Sequence, residues 1–207
     1  MKKELIKSGI QSEIDHRIKN NLNMISSILG LQILNLKNGS SDSTEGILLK
    51  SKLRVEALAL VHDALDYSKG DVEVDFGKYV YNLNLLVSRT YRKDIPLYID
   101  VVNISLNTNT MLKLGLVLNE LLTNSLEYAF PKKDVKFIKI SLVEGLYKDS
   151  YILNYSEEGG KIVNINKIRN SKTLGIKLIN LVLKEMRAEM NIFQKNGLAF
   201  QIKFKSI

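Results

Sequence analysis

The sequence predicts an α+β chain, an N-terminal helical hairpin followed by a two-layer α/β sandwich. Three observations carry this. Apolar residues recur at helical spacing through residues 2–37 and again from Glu45 to Ser68, on either side of the polar stretch KNGSSDST at 37–44. Beyond Lys69-Gly70-Asp71 the pattern changes to helices interspersed with alternating stretches. Asn196-Gly197 then joins two alternating runs, 190–195 and 198–205, as a hairpin turn does.

In the first helix Ile14, Ile18, Ile25 and Leu29 form the stripe, widened by Met24, Ile28 and Leu31. In the second, Leu58, Val61 and Leu65 share one stripe. A single hairpin leaves apolar surface on its far side, so a homodimer that closes a four-helix bundle is expected. Lys69-Gly70-Asp71 divides the chain into domains 1–70 and 71–207. In the second domain 75–92 reads as a helix and 97–106 as a strand. Residues 109–130 read as a strongly apolar helix, and 136–144 and 150–156 as neighbouring strands. Residues 174–188 read as a last helix before the final hairpin. Helices beside a mostly antiparallel sheet make a two-layer sandwich.

The 207 residues are 45% apolar, enough to bury a core, and include no Cys, which excludes disulfides and thiolate metal sites. The start, MKKELIKSGIQSE, is charged and has no apolar signal region. No stretch approaches the roughly 18 uninterrupted apolar residues of a membrane span. A cytoplasmic protein without direct membrane insertion is expected, alone or as the cytoplasmic part of a larger sensor. The net charge is +8, but the lysines are scattered along the chain. This points to a solvated basic surface suited to an acidic protein or a polyphosphate rather than to nucleic acid.

Of the two histidines, His16 lies two residues from both Ile14 and Ile18, about 200° round the helix from each. It therefore points away from the apolar seam, among Lys19, Asn20 and Asn23. A neutral imidazole on a rigid helix is nucleophilic near pH 7. His62 sits four residues after Leu58 and three before Leu65, and reads as a packing residue.

The run Glu13-Ile14-Asp15-His16-Arg17-Ile18-Lys19-Asn20-Asn21-Leu22 resembles the phosphoacceptor box H-R-[VI]-K-N-N-L of the histidine kinases related to the HWE subfamily, with Asp15 where His or Asn is usual. Residues 54–68, RVEALALVHDALDYS, are similar to that family's second dimerisation helix. The stretch from Asn119 to Phe130, NELLTNSLEYAF, resembles the N-box N-E-L-x-T-N-A-x-K-Y-A-F of the histidine-kinase, Hsp90-like and gyrase-like ATPases. Glu120 and Asn124 are four apart and share a helix face that Glu127 continues, opposite the stripe of Leu114, Leu118 and Leu121. An Asn oxygen is a hard ligand suited to Mg²⁺. The resemblance implies that Asn124 binds the metal, that Glu120 orients the acceptor, and that Tyr128 lies at the nucleotide. Glu127 replaces the usual Lys.

The adenine-binding box of the family is Asp-x-Gly-x-Gly at a strand end. The preferred match places Glu157 at the Asp and Gly159 at the first Gly, with Lys161 replacing the second. A second register would put Asn154 at the Asp position and lose both glycines. Residues 171–179, SKTLGIKLI, resemble S-x-S-L-G-L-x-L-V, which implies nucleotide contacts at Leu174 and Gly175, where a helix start favours phosphate. Asn196-Gly197-Leu198-Ala199-Phe200 resembles N-G-T-x-F, with Leu198 in place of Thr.

The resemblance covers nearly all of the chain. It implies a two-component histidine kinase that autophosphorylates His16 from ATP with Mg²⁺ and passes the phosphoryl group to an Asp of a response-regulator receiver domain. The changes at Glu127, Glu157, Lys161 and Leu198 keep a second reading open: an ATP-independent histidine phosphotransferase that relays phosphoryl between receiver domains. A binding module working through its basic surface is the third, and it alone has no use for His16.

Overall fold

The computed structural model describes residues 23–34, 36–37, 43–66, 73–94, 96–101, 104–129, 137–159, 164–171 and 173–206. His16, Lys161 and the expected boundary at Lys69–Asp71 lie outside the described residues. The chain divides into two compact units, Met1–Val55 and Glu56–Ile207. Among the described residues no helix is long and apolar enough to cross a membrane.

The first unit holds helix α1, described over 23–34, and the beginning of α2, Thr44–Asp63. Ile28 and Ile47 are buried. The buried Gln32 ties the two helices together: its Nε2 donates to the Ile47 carbonyl at 3.3 Å and to Ser51 Oγ at 2.8 Å. A buried amide left unpaired would be costly, so these bonds fix how the helices face each other. Leu29, Ile33, Leu34 and Leu48 remain exposed.

In the second unit the end of α2 buries Ala57, Leu58 and Val61. The helix stops at Asp63, short of the expected Ser68, because Leu65–Asp66 (β1) leaves it to pair with Glu73–Asp75 (β2). His62 is exposed, contrary to the packing role its spacing implied. The expected strand 97–106 is two strands in different sheets: Leu97–Asp100 (β3) and Ser105–Asn107 (β4). The second of these completes the small antiparallel sheet β1-β2-β4.

The main sheet adds Phe137–Glu144 (β5), Ser150–Glu158 (β6), Glu189–Gln194 (β7) and Leu198–Lys205 (β8), in the order β3-β5-β6-β8-β7. All of its pairs are antiparallel except β3 with β5. Strand alternation turns Ile138, Ile140, Leu142, Leu153, Tyr155, Ile202 and Phe204 into the core, and Lys139, Ser141 and Asn154 to the opposite, polar face.

Three long helices form the second layer: Phe76–Tyr91 (α3), Thr108–Asn124 (α4) and Leu174–Glu185 (α6), with the short α5, Ile165–Arg169, between strands and α6. Asp75 and Asn107 cap α3 and α4, their side-chain oxygens accepting from Lys78 N–H and Thr110 N–H at 2.9 and 2.8 Å. The Tyr79 hydroxyl donates to the Ala57 carbonyl at 3.0 Å, and a side chain at Gly115 of α4 would run into that hydroxyl. The α+β fold of N-terminal helices followed by a two-layer sandwich is thus as the sequence predicts.

Candidate nucleotide site at the end of helix α4

Helix α4 is apolar nearly all round, and Leu114, Val117, Leu118, Leu121 and Leu122 are buried. Its polar residues Asn119, Glu120 and Thr123 are buried too, which is expensive unless they serve the site or each other. Asn119 Nδ2 lies 3.4 Å from Glu120 Oε1, at the long limit of a hydrogen bond.

The helix does not continue uniformly to 130. It gives way to a single π turn over Ser125–Ala129. Ser125 Oγ lies 3.0 Å from the Leu121 carbonyl, four residues back. Such π turns recur at functional sites.

Gly175, the second residue of α6, faces this region. A Cβ there would stand 2.6 Å from Glu120 Oε2 and 3.9 Å from Asn124 Nδ2. Glu120 and Asn124, expected from one motif, and Gly175, expected from another, are therefore brought together. Leu174 opens α6 and is half-buried, as is Asn124. Thr173 at the N-cap of α6 makes no side-chain capping bond. Tyr128 is 60% exposed on the π turn.

Glu157 lies near the end of β6 with its side chain on the core face, only 5% exposed. The extra methylene that distinguishes it from Asp carries its Oε1 to 2.5 Å from Ser125 Oγ. Ser125 Oγ is also 2.6 Å from the Tyr155 hydroxyl. Burial pushes the Glu157 carboxyl above its ordinary value, against the bonds from the Ser125 hydroxyl and the Leu198 N–H, which favour the charged form. Burial, with Glu157 beside it, drives the Tyr155 hydroxyl well up. Leu198, which lacks the hydroxyl of a Thr, thus contributes through its backbone.

Gly159 follows with φ 77°, a left-handed conformation that favours glycine, and its N–H donates to the Asn196 carbonyl at 2.8 Å. A side chain at Gly197 would strike the Glu157 carbonyl. The β7–β8 turn is thereby fastened to the Glu157–Gly159 segment. Asn154, the candidate of the second register, points to the opposite face, where it bonds Ser141 and Gln201.

Glu127, at the position of the usual Lys, accepts a hydrogen bond from the Tyr91 hydroxyl at 2.8 Å. Burial, then this bond, raises the Tyr91 pKa. Ser125, Tyr155 and Tyr91 were not singled out in the sequence. Ser125 could have been, since it stands where the N-box resemblance has Ala.

Residues 13–91 match the family model described as Histidine kinase (HisKA_2). The sensor histidine kinase PdtaS of Mycolicibacterium smegmatis is 34% identical over 131 residues, which are 62% of this chain and 26% of that protein. The blue-light-activated histidine kinase 2 of Erythrobacter litoralis is 24% identical over 188 residues, 87% of this chain and 52% of that protein. The chain thus spans about a quarter of the first of these relatives and about half of the second. Among solved structures, the histidine kinase domain of the E. litoralis EL346 blue-light activated kinase superposes with a TM-score of 0.64 at 18% identity, covering 88% of this chain and 84% of that one. The Acinetobacter baumannii histidine kinase AdeS does so with a TM-score of 0.51 at 16% identity, covering 92% and 98%. At such identities these two likenesses speak for the fold alone.

Proposed function

We propose that this chain, similar to the HisKA_2, HWE-related histidine kinases, is the catalytic core of a two-component sensor histidine kinase, with His16 as phosphoacceptor. The observation that carries the reading is the meeting of Glu120 and Asn124 with Gly175 at the start of α6. Two separate stretches of sequence converge there on groups suited to a metal-bound polyphosphate.

Each group has a part in that chemistry. Asn124 would offer a hard oxygen to Mg²⁺, and the ion when bound would supply charge neutralisation for the phosphates. The start of α6, uncapped by a side chain, offers backbone N–H groups to phosphate oxygens. Glu157 stands where the base is read, and Gly159 turns the chain away there without a side chain. Glu120 holds the incoming imidazole by hydrogen bonding. A nitrogen of His16 attacks the γ-phosphorus, the bond to the ADP oxygen breaks, and ADP leaves. The phosphoryl group then passes from His16 to an aspartate of a receiver domain. Catalysis in such a site is positioning and charge neutralisation.

The exposed Leu29, Ile33, Leu34 and Leu48 of the hairpin support pairing of two copies through their helices. Domains of 1–70 for acceptor and dimerisation and 71–207 for nucleotide remain our proposal. The sealed Glu157 favours one alternative, an ATP-independent phosphotransferase that takes phosphoryl from one receiver and gives it to another.

Incubation with Mg²⁺ and γ-labelled ATP separates these. The kinase gains acid-labile label in the wild type and none in His16→Ala. An unlabelled wild type that instead takes label from a phosphorylated receiver would be the phosphotransferase.

A further inference from the structure

We propose that Ser125 is a positioning residue that lowers nucleotide affinity, its hydroxyl holding the Glu157 carboxylate in competition with the exocyclic amino group of an adenine base. The inference rests on the reading of Glu157 as the base contact and goes beyond it by naming what that contact is exchanged for.

The three members of the cluster are sealed from water. Ser125 is 0%, Tyr155 1% and Glu157 5% exposed. The short separation of 2.5 Å between Ser125 Oγ and Glu157 Oε1 is that of a charge-assisted bond. A serine hydroxyl has one proton, and both Glu157 and the Leu121 carbonyl lie within its reach. The carboxylate is the stronger acceptor and takes it. The Tyr155 hydroxyl then donates to Ser125 Oγ, which makes a chain of donors ending on Glu157.

The Leu198 N–H is a further donor to the same carboxylate. A buried acceptor whose needs are met inside the protein gains little from a ligand's donor until one of its own is given up. The amino group of adenine must therefore displace the Ser125 hydroxyl, and the free energy of that bond is subtracted from binding. Removing the hydroxyl leaves the carboxylate short of a donor in the free protein and satisfied in the complex. Ser125→Ala thus loosens the free protein and tightens the complex, whereas a bond with a merely structural role would loosen the free protein without tightening the complex.

The experiment is calorimetric titration of the full chain with Mg·ATP and with Mg·GTP, with thermal unfolding of the same samples. Ser125→Ala is expected to bind ATP about tenfold more tightly than wild type, the scale of one hydrogen bond to a charged group. GTP, which carries a carbonyl oxygen in place of the amino group, is expected to show no such gain. In a Glu157→Ala background the effect of Ser125→Ala on ATP vanishes. Ser125→Cys, of similar size and a weaker donor, moves the same way by less, and serves if the alanine variant does not fold. Unchanged or weaker ATP binding by the variants beside a wild type that binds ATP overturns this inference and leaves the nucleotide site standing. No ATP binding by any of the proteins overturns both.

Discussion

A Cβ at position 175 would lie 2.6 Å from Glu120 Oε2, so the first turn of α6 reaches the carboxylate of α4 only because residue 175 is glycine. The contact joins two stretches that are 55 residues apart in sequence by numbering (175 − 120). It also makes the separation of Glu120 from the start of α6 a sensitive quantity.

Gly175→Ala is expected to push the Glu120 carboxylate aside. Misplacing a positioning group by about 1 Å costs on the order of 100-fold in rate. The overpacking itself costs about 1 kcal/mol of stability. Initial rates of His16 labelling beside urea unfolding check the two numbers separately. A fully active Gly175→Ala protein would mean that Glu120 has no part in the transfer.

Tyr91→Phe removes the hydroxyl that donates to Glu127 at 2.8 Å. The expected loss is about 1 kcal/mol, the net worth of a partly buried hydrogen bond. Equilibrium urea unfolding measures it. Since this bond ties the end of α3 to the π turn, the loss should come with faster hydrogen exchange at Ser125–Ala129.

The pH dependence of stability carries the mark of Glu157. Its carboxyl is raised above the ordinary 4.5, chiefly by burial. Between 4.5 and the folded value the native state therefore binds more protons than the unfolded state. By the sign of the linkage, this group lowers stability as pH rises through that window. Wild type is thus expected to gain stability relative to Glu157→Gln as pH falls toward 4.5, a difference read from paired urea titrations. A constant difference across the range would contradict the burial of an ionisable group there.

Much of this architecture is legible in the sequence, for physical reasons that differ by element. Helix α4 and strands β5 and β6 are long and strongly patterned, and Asn196-Gly197 between alternating runs is a strong hairpin signal. The strands β1, β2 and β4 have two or three residues each, too few to show a period, and their pairing is set by tertiary contact. The same shortage hid the break between β3 and β4. His62 was misread because helical spacing alone cannot say where a helix ends, and it lies in the last turn. Within the site, Glu120, Asn124, Glu157 and Gly175 were legible as types in a spacing. Their arrangement was not: the tie from Ser125 to Glu157 spans 32 positions and depends on a π turn that no periodicity announces.

Gly197→Ala is the strongest destabilisation expected in the β7–β8 turn. Its φ of 149° disfavours a side chain, and a Cβ would strike the Glu157 carbonyl. The fault costs about 2 kcal/mol or more, since backbone must move to relieve it. A thermal melt gives the loss. Gly159→Ala, with φ 77° in the same corner, should also destabilise, by about 1 kcal/mol.

The measurement that bears most directly on the nucleotide site is calorimetric titration of Mg·ATP into the wild-type chain and into Asn124→Ala. The account predicts saturable binding by wild type, weakened about tenfold or more in Asn124→Ala, because a metal ligand and its charge compensation are lost together. Equal binding by the two proteins, or none by wild type, would contradict the assignment of the site around Glu120, Asn124 and Gly175.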